Sequence, residues 1–497
     1  MPASQIPNDP PRFAILGGGI TGLVAAHRLT KRVPHARVEL FEASDRLGGV
    51  LDTRCLDGLL LERGADSFLT KLSSVTDLCQ ELGLGDELIP TNEQYRRALV
   101  LRAGRLYAVP EGFLLMRPQR LATVLRSPLL SWRGKLRLCL EPWMGHPENL
   151  HQANYDESVA SFAIRRLGRE TLERLVQPLL AGIYTADPYQ LSLAATMPEA
   201  LEAERKHGSL RRAACRALQR NGGRAGDSDA QASGARYSSF VTLRNGLASL
   251  IHALADHLPA ANIHLNCRIE SLVRGEGDQW RITAANGSTH GPFQAVVVAL
   301  PAPRAAQLLE GVDPSLGDLL GRIPYASSAV VSMVFRRDQI AHPLDGFGFV
   351  VPTVEKRPIV AASFSSVKFP GRAPDDQVLV RVFLGGALQP EMVDLADSKL
   401  QEIALTELRQ VLGLRGDPRL IDLARWRQKM PQYHVGHLQL VDAIQRLADQ
   451  QPGLALAGNA YRGVGIPQCV QSGEAAAKKL ALLWESGQRS ARKHFSD

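Results

Sequence analysis

Three glycines at the spacing G-x-G-x-x-G (Gly17, Gly19, Gly22), followed by a carboxylate at Glu42, 20 residues beyond the last of them, are the residues of this chain best placed to do chemistry. That chemistry is nucleotide binding. Gly17 permits a tight turn, Gly19 lets backbone N–H groups approach a pyrophosphate with no Cβ in the way, and Gly22 allows a helix to pack closely on a strand. A carboxylate at Glu42 can accept both hydroxyls of an adenosine ribose. The spacing works only if a strand runs into the turn and a helix leaves it. Residues 13–16 read as that apolar strand, residues 23–29 as the helix, and residues 37–42 as a second, alternating strand. The helix N-terminus would then face the phosphates with its partial positive charge.

After Glu42 the chain continues Ala43-Ser44-Asp45-Arg46-Leu47-Gly48-Gly49. Alone, Gly48-Gly49 is a turn. An acid followed by Arg-x-Gly-Gly resembles the second fingerprint of flavoprotein oxidases and desaturases, in which the arginine and the glycine amides line the cofactor channel. The resemblance implies FAD rather than NAD. Gly64-Ala65, ahead of a polar run, suits a loop passing under a flat ligand. At the other end of the chain a strand over 454–457, a loop holding Gly458, Asn459, Val464 and Ile466, and an alanine-rich helix would set a helix dipole against the N1–C2=O edge of a flavin. Val273 lies in a meander of short strands, where flavoproteins of this kind contact adenine through the backbone.

The 497 residues allow two or three domains, and 45% hydrophobic with 22% charged residues is ordinary for a globular protein. Residues 1–11 are polar and proline-rich, without the basic and apolar regions of a signal peptide. No run approaches the roughly 18 apolar residues of a membrane span. A cytoplasmic protein is expected, with any membrane contact peripheral and on the inner face. The six cysteines have no C-x-x-C spacing and read as reduced thiols. A net charge of +8 suits nucleic acid, anionic lipid or a polycarboxylate substrate. The basic residues are interspersed and no nucleic-acid motif accompanies them, so no nucleic-acid partner is expected.

Along the chain, a hairpin pattern carries Arg96, Arg97, Arg102 and Arg105. It reads either as a solvated edge or as a carboxylate clamp, since arginine's planar fork grips carboxylates in two places. Residues 111–142 interleave apolar and basic side chains at helical spacing, which fits an anionic membrane surface or domain packing with a basic outer face. The expected architecture is α/β, a two-dinucleotide-binding-domain flavoprotein. Its Rossmann-like FAD domain is assembled from 12–90, 237–310 and 452–490. A mixed-sheet substrate domain takes 311–451 with the hairpin 91–110, a helical subdomain open to membrane association takes 111–205, and 207–236 reads as a flexible loop.

Five further segments occur in a telling order: Gln177-Pro178-Leu179-Leu180-Ala181-Gly182-Ile183-Tyr184, the run 346–352, Leu384-Gly385-Gly386, Met430-Pro431-Gln432-Tyr433-His434-Val435-Gly436-His437, and 457–473. With them the chain resembles, over almost its whole length, the protoporphyrinogen and coproporphyrinogen oxidases, FAD enzymes of late haem synthesis. Its nucleotide motifs are shared with amine oxidases and phytoene desaturases. The resemblance implies that Phe347, Val350 and Phe383 sandwich a tetrapyrrole and that Arg97, with Arg96 as the alternative, holds a propionate. By themselves Phe347 and Phe383 read as core. It also implies a six-electron oxidation, of coproporphyrinogen III to coproporphyrin III or of protoporphyrinogen IX to protoporphyrin IX. Hydride would pass from a bridging carbon to flavin N5 in three rounds, and dioxygen would leave as hydrogen peroxide. Such chemistry needs orientation and a dry apolar slot more than a catalytic acid or base. No metal is expected, because His434 and His437 sit three apart without a third ligand. A flavin amine oxidase, a carotenoid desaturase and a flavin-less carrier of prenylated GTPases stay open as readings. So do a quinone acceptor and the oligomeric state, a homodimer included.

Overall fold

Both faces of the run Phe13-Ala14-Ile15-Leu16 are buried, and the Arg12–Leu16 strand takes the centre of a five-stranded parallel sheet. The computed structural model describes residues 10–118, 120–220 and 240–494. Arg37–Phe41 and Ala295–Val298 flank the central strand, with Ile263–His264 and Leu454–Leu456 outside them. Three separated stretches of chain thus meet in one sheet. The register sends Phe13, Ile15, Val38 and Val297 to one face, beneath the helices Ile20–Arg32 and Ile466–His494. Ala14, Leu16, Val296 and Val298 point the other way, against Ala302–Leu309, Pro314–Gly321 and His437–Asp449.

A broad seven-stranded sheet joins five strands from residues 325–431 to the hairpin at residues 99–108. Its spatial order is Leu420–Pro431, Tyr325–Arg336, Gln377–Gly385, Ala361–Phe364, Gly348–Val350, Leu99–Arg102 and Arg105–Ala108. One face buries the row Leu99, Phe349, Ala362, Val382 and Val331 against the helix Asp397–Leu412. Because cross-strand partners share a face, Val350, Ala361, Phe383 and Val330 form a row on the opposite side. Two residues along the strands the next row is Gly348, Ser363, Arg381, Ser332 and Asp422. An apolar row and a polar row therefore lie side by side.

A helical layer between residues 121 and 220 has its own core around Phe162, Leu175 and Leu180, and Val350 packs against it. Here one expectation is corrected. The flexible loop read over 207–236 is a helix, Leu210–Arg220, in its first part. Ser209 Oγ accepts from the N–H of Arg212 at 3.1 Å. The fully buried Glu141 carboxylate takes the N–H groups of Leu210 and Arg211 at 2.9 and 3.2 Å. A remote carboxylate thus satisfies the start of this helix. Residues 221–236 lie outside the described residues.

Candidate cofactor and substrate site

The turn Gly17-Gly18-Gly19 leaves the central strand and enters the helix Ile20–Arg32. Gly17 adopts φ +107°, open to glycine, and a Cβ on Gly22 would meet the Gly17 carbonyl oxygen at 1.9 Å. A Cβ on Gly19 would meet nothing within 4 Å, so the backbone faces open space there. Glu42 stands beside this turn: its Oε2 accepts from Gly18 N at 2.7 Å, and its Oε1 accepts from Ser44 N at 2.9 Å. The second glycine pair joins the first directly. Gly48 N donates to Gly18 O at 2.8 Å, and Gly19 and Gly48 form a parallel bridge. Arg46 holds that loop by donating to Gly49 O at 2.7 Å and Leu47 O at 3.1 Å.

The C-terminal loop arrives at the same place. A Cβ on Gly473 would lie 2.4 Å from Thr21 O, and Thr21 Oγ1 donates to Cys469 O at 3.2 Å. The first turn of Ile20–Arg32 is therefore pressed against the first turns of Ile466–His494, which brings two positive helix ends together. Between strand and helix run Gly458, Asn459, Val464 and Ile466. Gly458 N donates to Ser472 Oγ at 2.9 Å, and a Cβ on Gly458 would again meet only open space. Val273 lies elsewhere on the nucleotide half, half-exposed on the edge strand of a three-stranded meander.

Gly64 and Ala65 form a pinned loop. A Cβ on Gly64 would strike Val50 O at 1.9 Å, while Trp426 Nε1 donates to Arg63 O at 2.8 Å and Arg381 Nη2 donates to Gly64 O. Next in the loop, Asp66 receives Lys368 Nζ on both oxygens at 3.0 Å and pairs with Arg381 Nη1 at 3.2 Å. Burial alone would raise the Asp66 carboxyl, but the two cations outweigh it and hold it well below the usual carboxylate range. Arg381 Nε is buried without a hydrogen-bond partner, and its guanidinium stands 5.2 Å from the Phe383 ring centroid.

On the substrate side, Val350 and Phe383 share the apolar row of the broad sheet, one strand apart. Phe347 is buried at the entrance of the Gly348–Val350 strand, and its N–H donates to Arg97 O at 2.9 Å. Arg97 Nη2 pairs with Asp345 Oδ2 at 2.5 Å, both side chains remaining well exposed. Arg96 turns away: its Nε donates to Thr91 Oγ1 at 3.3 Å. His434 and His437 do not converge on a metal, since His437 Nε2 is 2.9 Å from the Tyr461 carbonyl oxygen.

A sequence profile of the family described as flavin containing amine oxidoreductase matches residues 20–481. The chain belongs to that family. A coproporphyrinogen III oxidase of Bacillus subtilis is 32% identical over 93% of this chain and 96% of its own. One of Propionibacterium freudenreichii is 34% identical over 94% and 90%. The crystal structure of an Exiguobacterium sp. 255-15 protein superposes with a TM-score of 0.82 at 31% identity, covering 95% of this chain and 99% of that one. Within the flavin-containing oxidoreductases, the chain groups with the porphyrinogen oxidases.

This oxidoreductase takes FAD, and its residues fit that group. Space is open at Gly19 and Gly458, where a Cβ would meet nothing within 4 Å, and closed at Gly22 and Gly64, where it would strike Gly17 O and Val50 O at 1.9 Å. Asp66, Lys368, Arg381 and Tyr433 were not singled out by their sequence context. The one available signal was an arginine inside the otherwise apolar run Val378-Leu379-Val380-Arg381-Val382-Phe383, which a strand tolerates only if a buried partner waits for it.

Proposed function

We propose that the protein oxidises a porphyrinogen to the porphyrin, with coproporphyrinogen III as the preferred substrate, dioxygen as acceptor and hydrogen peroxide as product, in haem biosynthesis. The observation that carries this is the apolar row Val350-Ala361-Phe383-Val330, on the sheet face turned away from helix Asp397–Leu412, with Arg97 exposed on the segment that leads into the neighbouring strand Leu99–Arg102. A planar macrocycle needs such a slot, and its propionates need a cation at the rim. The Bacillus subtilis and Propionibacterium freudenreichii relatives are named coproporphyrinogen III oxidases, which supports the tetracarboxylate over the dicarboxylate.

When bound, the flavin accepts two electrons in each of three rounds. The chain supplies everything else. Val350 and Phe383 exclude water and orient the macrocycle face, Phe347 closes the slot from the strand entrance, and Arg97 fixes a carboxylate, which sets the macrocycle's orientation in the slot. Gly17, Gly19, Gly22, Glu42, Arg46, Gly48, Gly49, Gly64 and Ala65, together with the Gly458, Asn459, Val464 and Ile466 loop, hold the dinucleotide, with Val273 as the adenine contact. Tyr461 is packed into the core beneath the nucleotide sheet and does not line an open aromatic cage, which disfavours an amine substrate. Among the described residues no helix is long and apolar enough to cross a membrane. Trp132, Leu136, Leu140 and Trp143, all exposed and spaced along one face beside Arg133, support a peripheral contact with anionic lipid.

Porphyrin fluorescence and peroxide release measured on coproporphyrinogen III and protoporphyrinogen IX test the reading. Faster turnover of the first is expected; flavin-loaded protein that converts neither discards it.

A further inference from the structure

The buried pair Tyr433 and His437 touches the C-terminal flavin loop at three points. The Tyr433 hydroxyl donates to Asn459 O at 2.6 Å and accepts from Gly463 N at 2.8 Å, closing a loop of five residues across one oxygen. His437 stacks on the tyrosine ring with centroids 3.9 Å apart and planes 13° apart. Its Nε2 lies 2.9 Å from Tyr461 O, so the tautomer carrying the proton on Nε2 donates there. Carbonyls 459 and 461 and amide 463 are thereby fixed by two side chains that are 2% and 3% exposed. Gly463 stands at φ +115°, which glycine adopts without strain and which turns its N–H to the Tyr433 hydroxyl.

We propose that Tyr433 and His437 are positioning residues for the cofactor: they hold the Asn459–Gly463 turn so that the N-terminus of Ile466–His494 is aimed at the flavin. The inference rests on the FAD reading of the site and is independent of the substrate. An oriented helix end favours the form of the ligand that carries more negative charge at that edge. Loosening the turn therefore weakens FAD binding and lowers the flavin's midpoint potential, while the Tyr433 ring keeps its place in the helical layer's core. A role confined to packing would move thermal stability alone.

The test is Tyr433→Phe, which keeps the ring stacked on His437 and removes the bridging oxygen. FAD affinity is measured by flavin fluorescence on the apoprotein and the potential by spectroelectrochemistry on the reloaded protein. The expected result is FAD binding about tenfold weaker and a potential about 30 mV lower, which is a tenfold change for a two-electron couple. His437→Phe reads the same turn through Tyr461 and serves if Tyr433→Phe fails to fold; His437→Gln, which can still donate to that carbonyl, is expected to recover most of the loss. Unchanged affinity and potential in both Tyr433→Phe and His437→Phe overturn the proposal. A wild-type protein that binds no flavin overturns the FAD reading with it, whereas a normally flavinated wild type inactive on porphyrinogens leaves this proposal standing and removes only the substrate.

Discussion

Replacing Asp345 by Asn is expected to tighten substrate binding. Arg97, the residue proposed to hold a propionate, is paired with Asp345 at 2.5 Å, and the two side chains are 43% and 38% exposed. A pair exposed to that degree contributes only about 0.2–1 kcal/mol, because water screens it and two long side chains must be ordered. That is the free energy an incoming carboxylate must displace. Without the competitor, KM should fall by a factor of about 1.4 to 5, the same energy expressed as an equilibrium ratio. Arg97→Ala should do the reverse. A charge-assisted hydrogen bond contributes about 1.5–3 kcal/mol, so KM should rise roughly tenfold to a hundredfold or slightly more, with kcat changed less. Since Asp345 acts only through Arg97, the double variant should match Arg97→Ala alone. Steady-state fluorimetry over a range of coproporphyrinogen III concentrations reads all three. A higher KM in Asp345→Asn, or a persistent Asp345→Asn effect when Arg97 is absent, would refute the reasoning.

Asp66→Asn leaves Lys368 and Arg381, 10% and 2% exposed, without their shared carboxylate, and should cost about 3–5 kcal/mol in denaturant unfolding; Lys368→Met should cost less because Arg381 still faces Asp66. The Asp66 carboxyl is held low in the folded state, so its contribution is complete above its unfolded value near pH 4 and is lost as pH falls further, a dependence that Asp66→Asn should not show. Burial pushes His437 down to about 4, offset only in part by its bond to Tyr461 O. The unfolded chain therefore binds the extra proton first, and stability should fall by up to about 1.4 kcal/mol per pH unit between pH 6.5 and 4, a slope that urea titrations of His437→Gln should lack. Trp132→Ser/Trp143→Ser should reduce sedimentation with phosphatidylglycerol vesicles while leaving turnover in detergent unchanged; equal sedimentation removes the membrane reading.

The nucleotide half of the fold was legible because its signals are local. Gly17 and Gly22 announce a turn that a side chain at either position would break, and Ala295-Val296-Val297-Val298 has no polar face to offer water. The broad sheet was legible as alternating strands, but not its register, and it is register that sets Val350, Ala361 and Phe383 in one row. Charged residues buried in long-range pairs were invisible for the same reason. Lys368 and Asp66 are 302 residues apart, and Glu141 caps a helix 69 residues away. Leu210–Arg220 was not legible as a helix because its anchoring lies in that distant carboxylate. Tyr433 lay inside a segment that was noted, yet its role comes from two backbone atoms on another loop.

With FAD bound, this chain is expected to remove electrons from a porphyrinogen. Anaerobic mixing of the yellow protein with coproporphyrinogen III tests it in one step: loss of the visible flavin absorbance, its return on admitting dioxygen, and a matching rise in porphyrin fluorescence are expected. Flavin absorbance that stays unchanged against an excess of both porphyrinogens would contradict it.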